Sequence, residues 1–234
     1  ELVVPLTTIN SSARQNILSS IRNIQLGGDT CISCGIEDGL NELKKATTFG
    51  QGGSIVSRMI VLSDGDTNNG IRDVAGFRSL AQRAMSSGVN ITTIGVDIEF
   101  NEKIMSAIAQ ASNGRHYFVE NDRDLARVFD AEAAVLTTSI GNEVVADLDL
   151  GPNVELVRVF DRTFTRSGSH LSVPLGTLAT GETKTVLVKV RVPKGDAGQV
   201  DLASVTLSYR DLTNNKDAKS SGKLALERDR KSVV

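Results

Sequence analysis

The sequence predicts an α/β chain: an open parallel sheet with helices on both faces, followed by an antiparallel β-sandwich. Three observations predict it. From Glu1 to about Ile140, short apolar runs alternate with amphipathic helical stretches. Beyond Ile140 the apolar residues recur with period two and no helix intervenes. Of the 234 residues, 40% are hydrophobic and 23% charged, which supplies a buried core and argues against wholesale disorder.

The elements follow in order. Ser11 to Ile24 carries Ile17, Ile21 and Ile24 at helical spacing, with Ser11 or Ser12 as the N-cap. Ile36 to Ala46 places Ile36, Leu40 and Leu43 on one stripe. Met59-Ile60-Val61-Leu62 is an apolar run ending in Ser63-Asp64-Gly65, as expected of a strand buried on both faces. Asp73 to Ser87 is helical, and Gly88 stops it. Asn90 to Val96 is β-branched and ends at Asp97. Glu102 to Ala111 forms a helix, His116 to Val119 a short strand, and Asp122 to Leu136 a helix capped by Asn121 or Asp122. Strands alternating with helices imply parallel pairing through right-handed crossovers.

In the second half, Val144–Leu150, Val154–Phe160, Thr183–Val192 and Asp201–Tyr209 alternate, separated by Gly151-Pro152-Asn153, Gly181-Glu182 and Pro193–Asp196. The Lys and Arg residues of Thr183–Arg191 fall on the solvated face of such a strand. The expected domains are residues 1–140, a sandwich over 141–211, and a polar tail over 212–234 that adds at most a strand near Lys223–Leu226.

Bulk properties exclude several functions. A net charge of −2 argues against a general nucleic-acid binder, which carries a basic surplus. No window approaches the roughly 20 apolar residues of a membrane span. The start, Glu1–Leu6, has no basic segment or apolar core of a signal peptide, and no initiator Met, so a fragment or processed form is expected. Two Cys and two His, His116 and His170 in unrelated contexts, do not supply the paired four-ligand spacing of structural zinc. His116 is expected at a strand end and His170 on the surface. Gly50-Gln51-Gly52-Gly53 precedes a strand and lacks the spacing of a dinucleotide fingerprint.

Two stretches carry chemistry. Asp64 follows an apolar strand, and in open α/β sheets ligands bind where the carboxyl ends of strands diverge into loops. An exposed carboxylate beside Gly65 suits a hard, oxygen-seeking cation such as Mg²⁺, or it is simply a strand-ending turn. Gly27-Gly28-Asp29-Thr30-Cys31-Ile32-Ser33-Cys34-Gly35 is a Gly-rich loop opening a helix. Its Thr30 hydroxyl can face the rim of Asp64, or Thr30 or Ser33 can be an N-cap. Cys31 and Cys34 form a CxxC at the helix start: a redox pair, a local disulfide, or two quiet thiols.

These stretches resemble the von Willebrand factor A domain, especially the bacterial branch of calcium-activated chloride channel homologues. The resemblance rests on Gly27–Thr30, Met59–Gly65, Thr92–Val96, Asn101-Glu102 and Gly114–Phe118, and continues through Glu155–Val159 and Val205–Asp211. It implies a Rossmann-like sheet of order 3-2-1-4-5-6 and a non-catalytic module for protein binding or adhesion, extracytoplasmic or membrane-associated. It also implies a metal ion-dependent adhesion site, where Thr30 and Asp64 match the family's Thr and last Asp. The ion would be Mg²⁺, Ca²⁺ or Mn²⁺, completed by a carboxylate of a protein ligand.

The sequence departs from the pattern upstream. No Asp-x-Ser-x-Ser precedes Thr30, and Asp29 stands where a glycine commonly leads into the Thr. Glu1–Leu6 match the family's third strand, at an edge, so the first two strands and first helix are missing and metal binding should be weak. The Met59 strand should pair with the Asn90 strand and leave its other edge open to another chain. The best enzyme alternative is a haloacid-dehalogenase-like phosphohydrolase with Asp64 as nucleophile and Asp66 as general acid.

Overall fold

A computed structural model of the chain describes residues 2–25, 27–49, 56–96 and 100–228. The Gly50–Gly53 stretch, Asp97 and the Arg230–Val234 end lie outside the described residues. The first half contains α1 (Ser11–Arg22), α2 (Ile32–Phe49), β1 (Ser57–Ser63), α3 (Val74–Ser86), β2 (Val89–Val96), α4 (Glu102–Ala111), β3 (His116–Val119) and α5 (Asp122–Thr137). The second contains β4 (Ser139–Leu150), β5 (Glu155–Phe160), β6 (Thr165–Ser167), β7 (His170–Ala179), β8 (Leu187–Arg191), β9 (Gly198–Asp211) and β10 (Lys216–Arg228). Two compact units meet within α5: Glu1–Glu132 and Ala133–Val234.

The first unit is built on a three-stranded parallel sheet of order β1-β2-β3. β2 is rich in β-branched residues, and Val89 to Gly95 are all buried, as a central strand covered on both faces requires. On one face Met59, Ile91, Ile104, Met105 and Ile108 pack with Ile36, Phe77 and Leu80 of the helices. On the other, Ile94 and Val119 pack with Val128. The cover is incomplete over β1, where Leu62 is 49% exposed, so the expectation of a strand buried on both faces holds for β2 and fails for this part of β1. Among the described residues β1 pairs only with β2.

Capping side chains set most helix starts. Asn10, Asp73 and Asn101 accept from Ala13, Gly76 and Ile104 N–H groups, and Asn121 accepts from Asp124 N at 3.0 Å. The expected Ser11 or Ser12 cap is thus replaced by Asn10, whose extended backbone lets its carbonamide reach the third helical amide. The apolar stripe of α1 is only partly covered: Ile17 is half-buried and shares a cavity with Val3, Val4 and Pro5, while Leu18 and Ile21 are exposed and no α1 residue is fully buried. Leu2–Leu6 form no strand, contrary to the expected edge strand. No neighbouring strand is present to take its backbone ladder among the described residues, and Leu6 N donates to Glu42 Oε2 at 3.1 Å instead.

At the amino-terminal end of the sheet lies a buried charge network invisible to periodicity. Glu132 of α5, 1% exposed, pairs with Arg58 of β1. It also accepts from the Thr92 hydroxyl at 2.9 Å and the Tyr117 hydroxyl at 3.1 Å, with Arg115 at 3.5 Å. Burial works to raise the Glu132 pKa, but the hydrogen bond and charge of Arg58, helped by Thr92 and Arg115, hold the carboxyl below the usual range.

The second unit is a β-sandwich. A five-stranded antiparallel sheet, β10-β9-β4-β7-β6, faces a two-stranded sheet, β5-β8. Val144, Ala146, Leu148 and Leu150 of β4 interdigitate with Leu171, Val173 and Leu175 of β7, and Val188 and Val190 close the core from β8. β7 alternates buried and half-buried residues but contains Pro174, the signal that hides it in the sequence. Pro174 is tolerated because β6 pairs only with His170–Ser172, so beyond Ser172 β7 has β4 as its single neighbour. Residues 183–186 fall outside β8, which is shorter than the expected Thr183–Val192 strand. The polar residues after Leu212 form a β10 far longer than the expected Lys223–Leu226 strand, paired with β9 from Lys216 to Arg228.

Replacing Glu132 with Ala or Gln leaves Arg58 buried without its counter-charge. Urea unfolding followed by circular dichroism should show a loss of about 3 kcal/mol or more. Because the folded pKa of Glu132 is depressed, its contribution is fully present above the ordinary value of 4.5 and fades as pH falls below it. The wild-type melting temperature should therefore drop more steeply on acidification than that of Glu132→Gln.

Candidate functional site

The candidate site occupies the opposite, carboxyl-terminal end of the sheet. The loop leaving β1 carries Asp64 to Arg72, and the loop entering α2 carries Asp29 to Cys31. They are bound together through backbone. The Thr30 carbonyl accepts from Asn68 N at 3.0 Å, Asn69 N at 3.2 Å and the Thr67 hydroxyl at 3.1 Å. The Thr30 amide donates to Asn68 Oδ1 at 2.7 Å. One turn further on, Ile71 N donates to Ser33 Oγ at 3.0 Å.

Cys31 and Cys34 form a disulfide across the first turn of α2, with Cα atoms 5.3 Å apart. Cys31 takes the N-cap place: its carbonyl accepts from Gly35 N at 3.2 Å. Helix α2 therefore begins at Ile32, a turn earlier than its apolar stripe predicts. Gly70 packs against this bridge with φ of +69°, and a Cβ there would stand 2.4 Å from Ser33 Oγ and 2.6 Å from Cys31 Sγ. Only glycine meets both the left-handed backbone and the close approach.

Thr30 and Asp64 both line a groove of about 520 Å³ between α2 and β1, walled by Ile36 and Gly39 on one side and Met59 to Ser63 on the other. The Thr30 hydroxyl caps nothing, and the Asp64 carboxylate is exposed, without a hydrogen bond or ion pair among the described residues. Asp66 behaves differently. Its Oδ1 accepts from Thr67 N at 2.8 Å and from Asn101 Nδ2 at 3.0 Å, tying the loop to the start of α4. A carboxylate held in this way is a loop fastener, and the phosphohydrolase alternative on Asp64 and Asp66 gains no support.

The donor set fits part of a hard-cation shell. Such ions take about six or more oxygen ligands, and the groove offers two carboxylates, Asp29 and Asp64, and two hydroxyls, Thr30 and Ser63, the latter donating to the Gly65 carbonyl. Among the described residues, no group of three or more His, Cys, Asp or Glu side chains converges on a metal position. The loop clamp formed by Thr67, Asn68 and Asn69 has no periodic signature. Its only sequence signal is the cluster of turn-forming residues Asp66–Gly70.

Comparison with known proteins defines the class. Residues 1–131 match the von Willebrand factor type A domain, and the chain belongs to that family. It is similar to the uncharacterized protein YfbK of Escherichia coli, 27% identical over 150 residues, covering 64% of this chain and 25% of that protein. It is also similar to the uncharacterized protein sll0103 of Synechocystis, 24% identical over 207 residues, covering 83% of this chain and 47% of that one. The chain thus spans half or less of these relatives. Among solved structures, a von Willebrand factor type A protein from Catenulispora acidiphila superposes with a TM-score of 0.77 at 15% identity, covering 95% of this chain and 53% of that one. The human COPII-coat protein Sec24c superposes at 0.64 and 16% identity, covering 93% and 31%. Both extend across the sandwich, so the α/β unit and the β-sandwich recur together at the level of fold.

Gly70→Ala should cost about 1–3 kcal/mol by forcing apart the two loops. Hydrogen exchange should show the Asn68, Asn69 and Ile71 amides opening faster. Alkylation of Cys31 and Cys34 should require prior reduction.

Proposed function

We propose that the chain is a non-catalytic protein-binding module in which Thr30 and Asp64 supply part of a metal ion-dependent adhesion site. The observation that carries this is the shared groove: a hydroxyl and a carboxylate with no partner among the described residues, from two loops clamped to each other, at the sheet edge where α/β folds bind ligands. Mg²⁺, Ca²⁺ or Mn²⁺ would sit against these oxygens and present a Lewis-acidic anchor to a carboxylate of the protein ligand. Within the family, we place the chain in the branch of calcium-activated chloride channel homologues, as a partial domain lacking the Asp-x-Ser-x-Ser ligands. The remaining coordination then comes from outside this sequence.

Two further parts of the reading have physical support. The edge of β1 that pairs with no strand among the described residues offers its backbone to an added strand. The Cys31–Cys34 bridge favours an oxidising, extracytoplasmic setting, and no described helix is long and apolar enough to cross a membrane. Nucleic acid is not an expected partner of a chain with net charge −2.

Calorimetric titration of this chain with Mg²⁺ should give binding weaker than about 1 mM, because two protein ligands leave most of the shell to water. Thr30→Ala and Asp64→Ala should each abolish the residual heat and leave the melting temperature unchanged. A sub-millimolar dissociation constant for the unaltered chain would overturn the partial-site reading.

A further inference from the structure

We propose that a second cavity at the same edge of the sheet, walled by Phe100, Glu102, His116 and Phe118, receives a cationic side chain, lysine or arginine, of a protein partner. The cavity measures about 360 Å³, at the small end of the range of ligand pockets and ample for one long side chain.

Its construction is specific. His116 and Phe118 alternate on β3 and so face the same way, paired in register with Thr93 and Gly95 of β2. Gly95 has no side chain, and the Phe100 ring fills that space: a Cβ at Gly95 would stand 2.4 Å from the ring. A glycine inside an otherwise β-branched strand is thereby explained by close approach of an aromatic group. Phe100 in turn stacks on Phe118, with ring centroids 5.8 Å apart and planes at 23°, and tilts against His116 at 6.0 Å and 53°. Glu102, in the first turn of α4, brings a carboxylate to the same wall.

The chemistry selects a cation. Aromatic faces are electron-rich and attract ammonium and guanidinium groups, and Glu102 is the single carboxylate or basic group among the described lining residues besides His116. Burial pushes the His116 imidazole below its ordinary pKa against the opposing pull of Glu102, while its Nδ1 is held by the Thr93 hydroxyl at 2.9 Å. The downward shift favours the neutral ring, which does not repel an incoming positive charge. A carboxylate ligand would meet Glu102 and the ring faces unfavourably, and a purely apolar one would strip water from Glu102 without replacing it. Phe118 remains 47% exposed, leaving a large aromatic surface open to such a ligand.

The register also places the cavity. Ser63, Gly95 and Phe118 form one row across the three strands, and Asp64 follows Ser63 directly. Two strand spacings, about 10 Å, separate β1 from β3. A partner presenting a basic and an acidic residue about that far apart would meet both positions, but the aromatic site does not require a metal at the first.

The test uses the whole chain in EDTA, so its outcome is independent of any ion. Nα-acetyl-arginine methylamide and Nα-acetyl-lysine methylamide are titrated against ring resonances of Phe100, His116 and Phe118, with the uncharged Nα-acetyl-citrulline methylamide as comparison. Saturable shifts are expected for at least one cationic probe and none for citrulline. Phe118→Leu, which keeps apolar bulk, and Glu102→Gln should each weaken binding about fivefold, with backbone amide spectra confirming that both variants fold. Equal binding of citrulline, absence of shifts with both cationic probes, or wild-type affinity in both variants would overturn the proposal. Any of these would leave the Thr30–Asp64 reading untouched.

Discussion

Parallel pairing of β1, β2 and β3 in a fixed register is the constraint on which the first unit depends. Parallel strands all end at one edge, so every loop that leaves them carboxyl-terminally is delivered to the same rim. The two edges are then used differently. At the amino-terminal end the charged groups are paired and dry: Glu132 gathers Arg58, Thr92 and Tyr117 from the sheet and locks α5 over it. At the carboxyl end the Thr30 hydroxyl and the Asp64 carboxylate stay unengaged among the described residues. A buried pair is costly to break and specifies one arrangement, whereas an open oxygen is costly only if water is removed from it. The sheet thus separates structural polarity from polarity available to a ligand.

The elements with strong periodicity were legible in the sequence. The α4 and β3 boundaries coincide with those expected, and β2 starts one residue earlier. In each case the signal is local: a capping Asn101 with a single apolar stripe, or a short run rich in β-branched or aromatic residues. What was not legible depends on contacts distant in sequence. The apolar residues of α1 read as a core stripe but none is fully buried, because amphipathicity reports what a helix can bury and not how much surface is present to receive it. Glu1–Leu6 read as a strand by family resemblance, but a strand exists only when a neighbour takes its hydrogen bonds, and the described residues 2–6 have none. β7 was hidden by Pro174, whose penalty vanishes where one side of the strand is unpaired.

At the site, Thr30 and Asp64 were found by pattern and are brought to one groove, while the means of bringing them there was not foreseen. The clamp on the Thr30 carbonyl, the glycine seated on the disulfide and the Asp66–Asn101 tie involve loop residues separated by 35 or more positions. Loops encode such links in single donor and acceptor groups, which carry no repeat to detect. The Phe100–Phe118 stack was likewise unseen, although Gly95 interrupting a β-branched strand is the kind of local irregularity that marks a close approach.

Residue 30 divides its labour between atoms. Its carbonyl and amide stitch the two loops together, while its hydroxyl takes no part in the stitching. Because every amino acid other than proline brings the same amide and carbonyl, the architecture of the rim is indifferent to the side chain displayed there. The same indifference applies at residue 64, whose side chain fastens nothing. The side chains at these two positions can therefore be exchanged without reopening the question of how the chain folds.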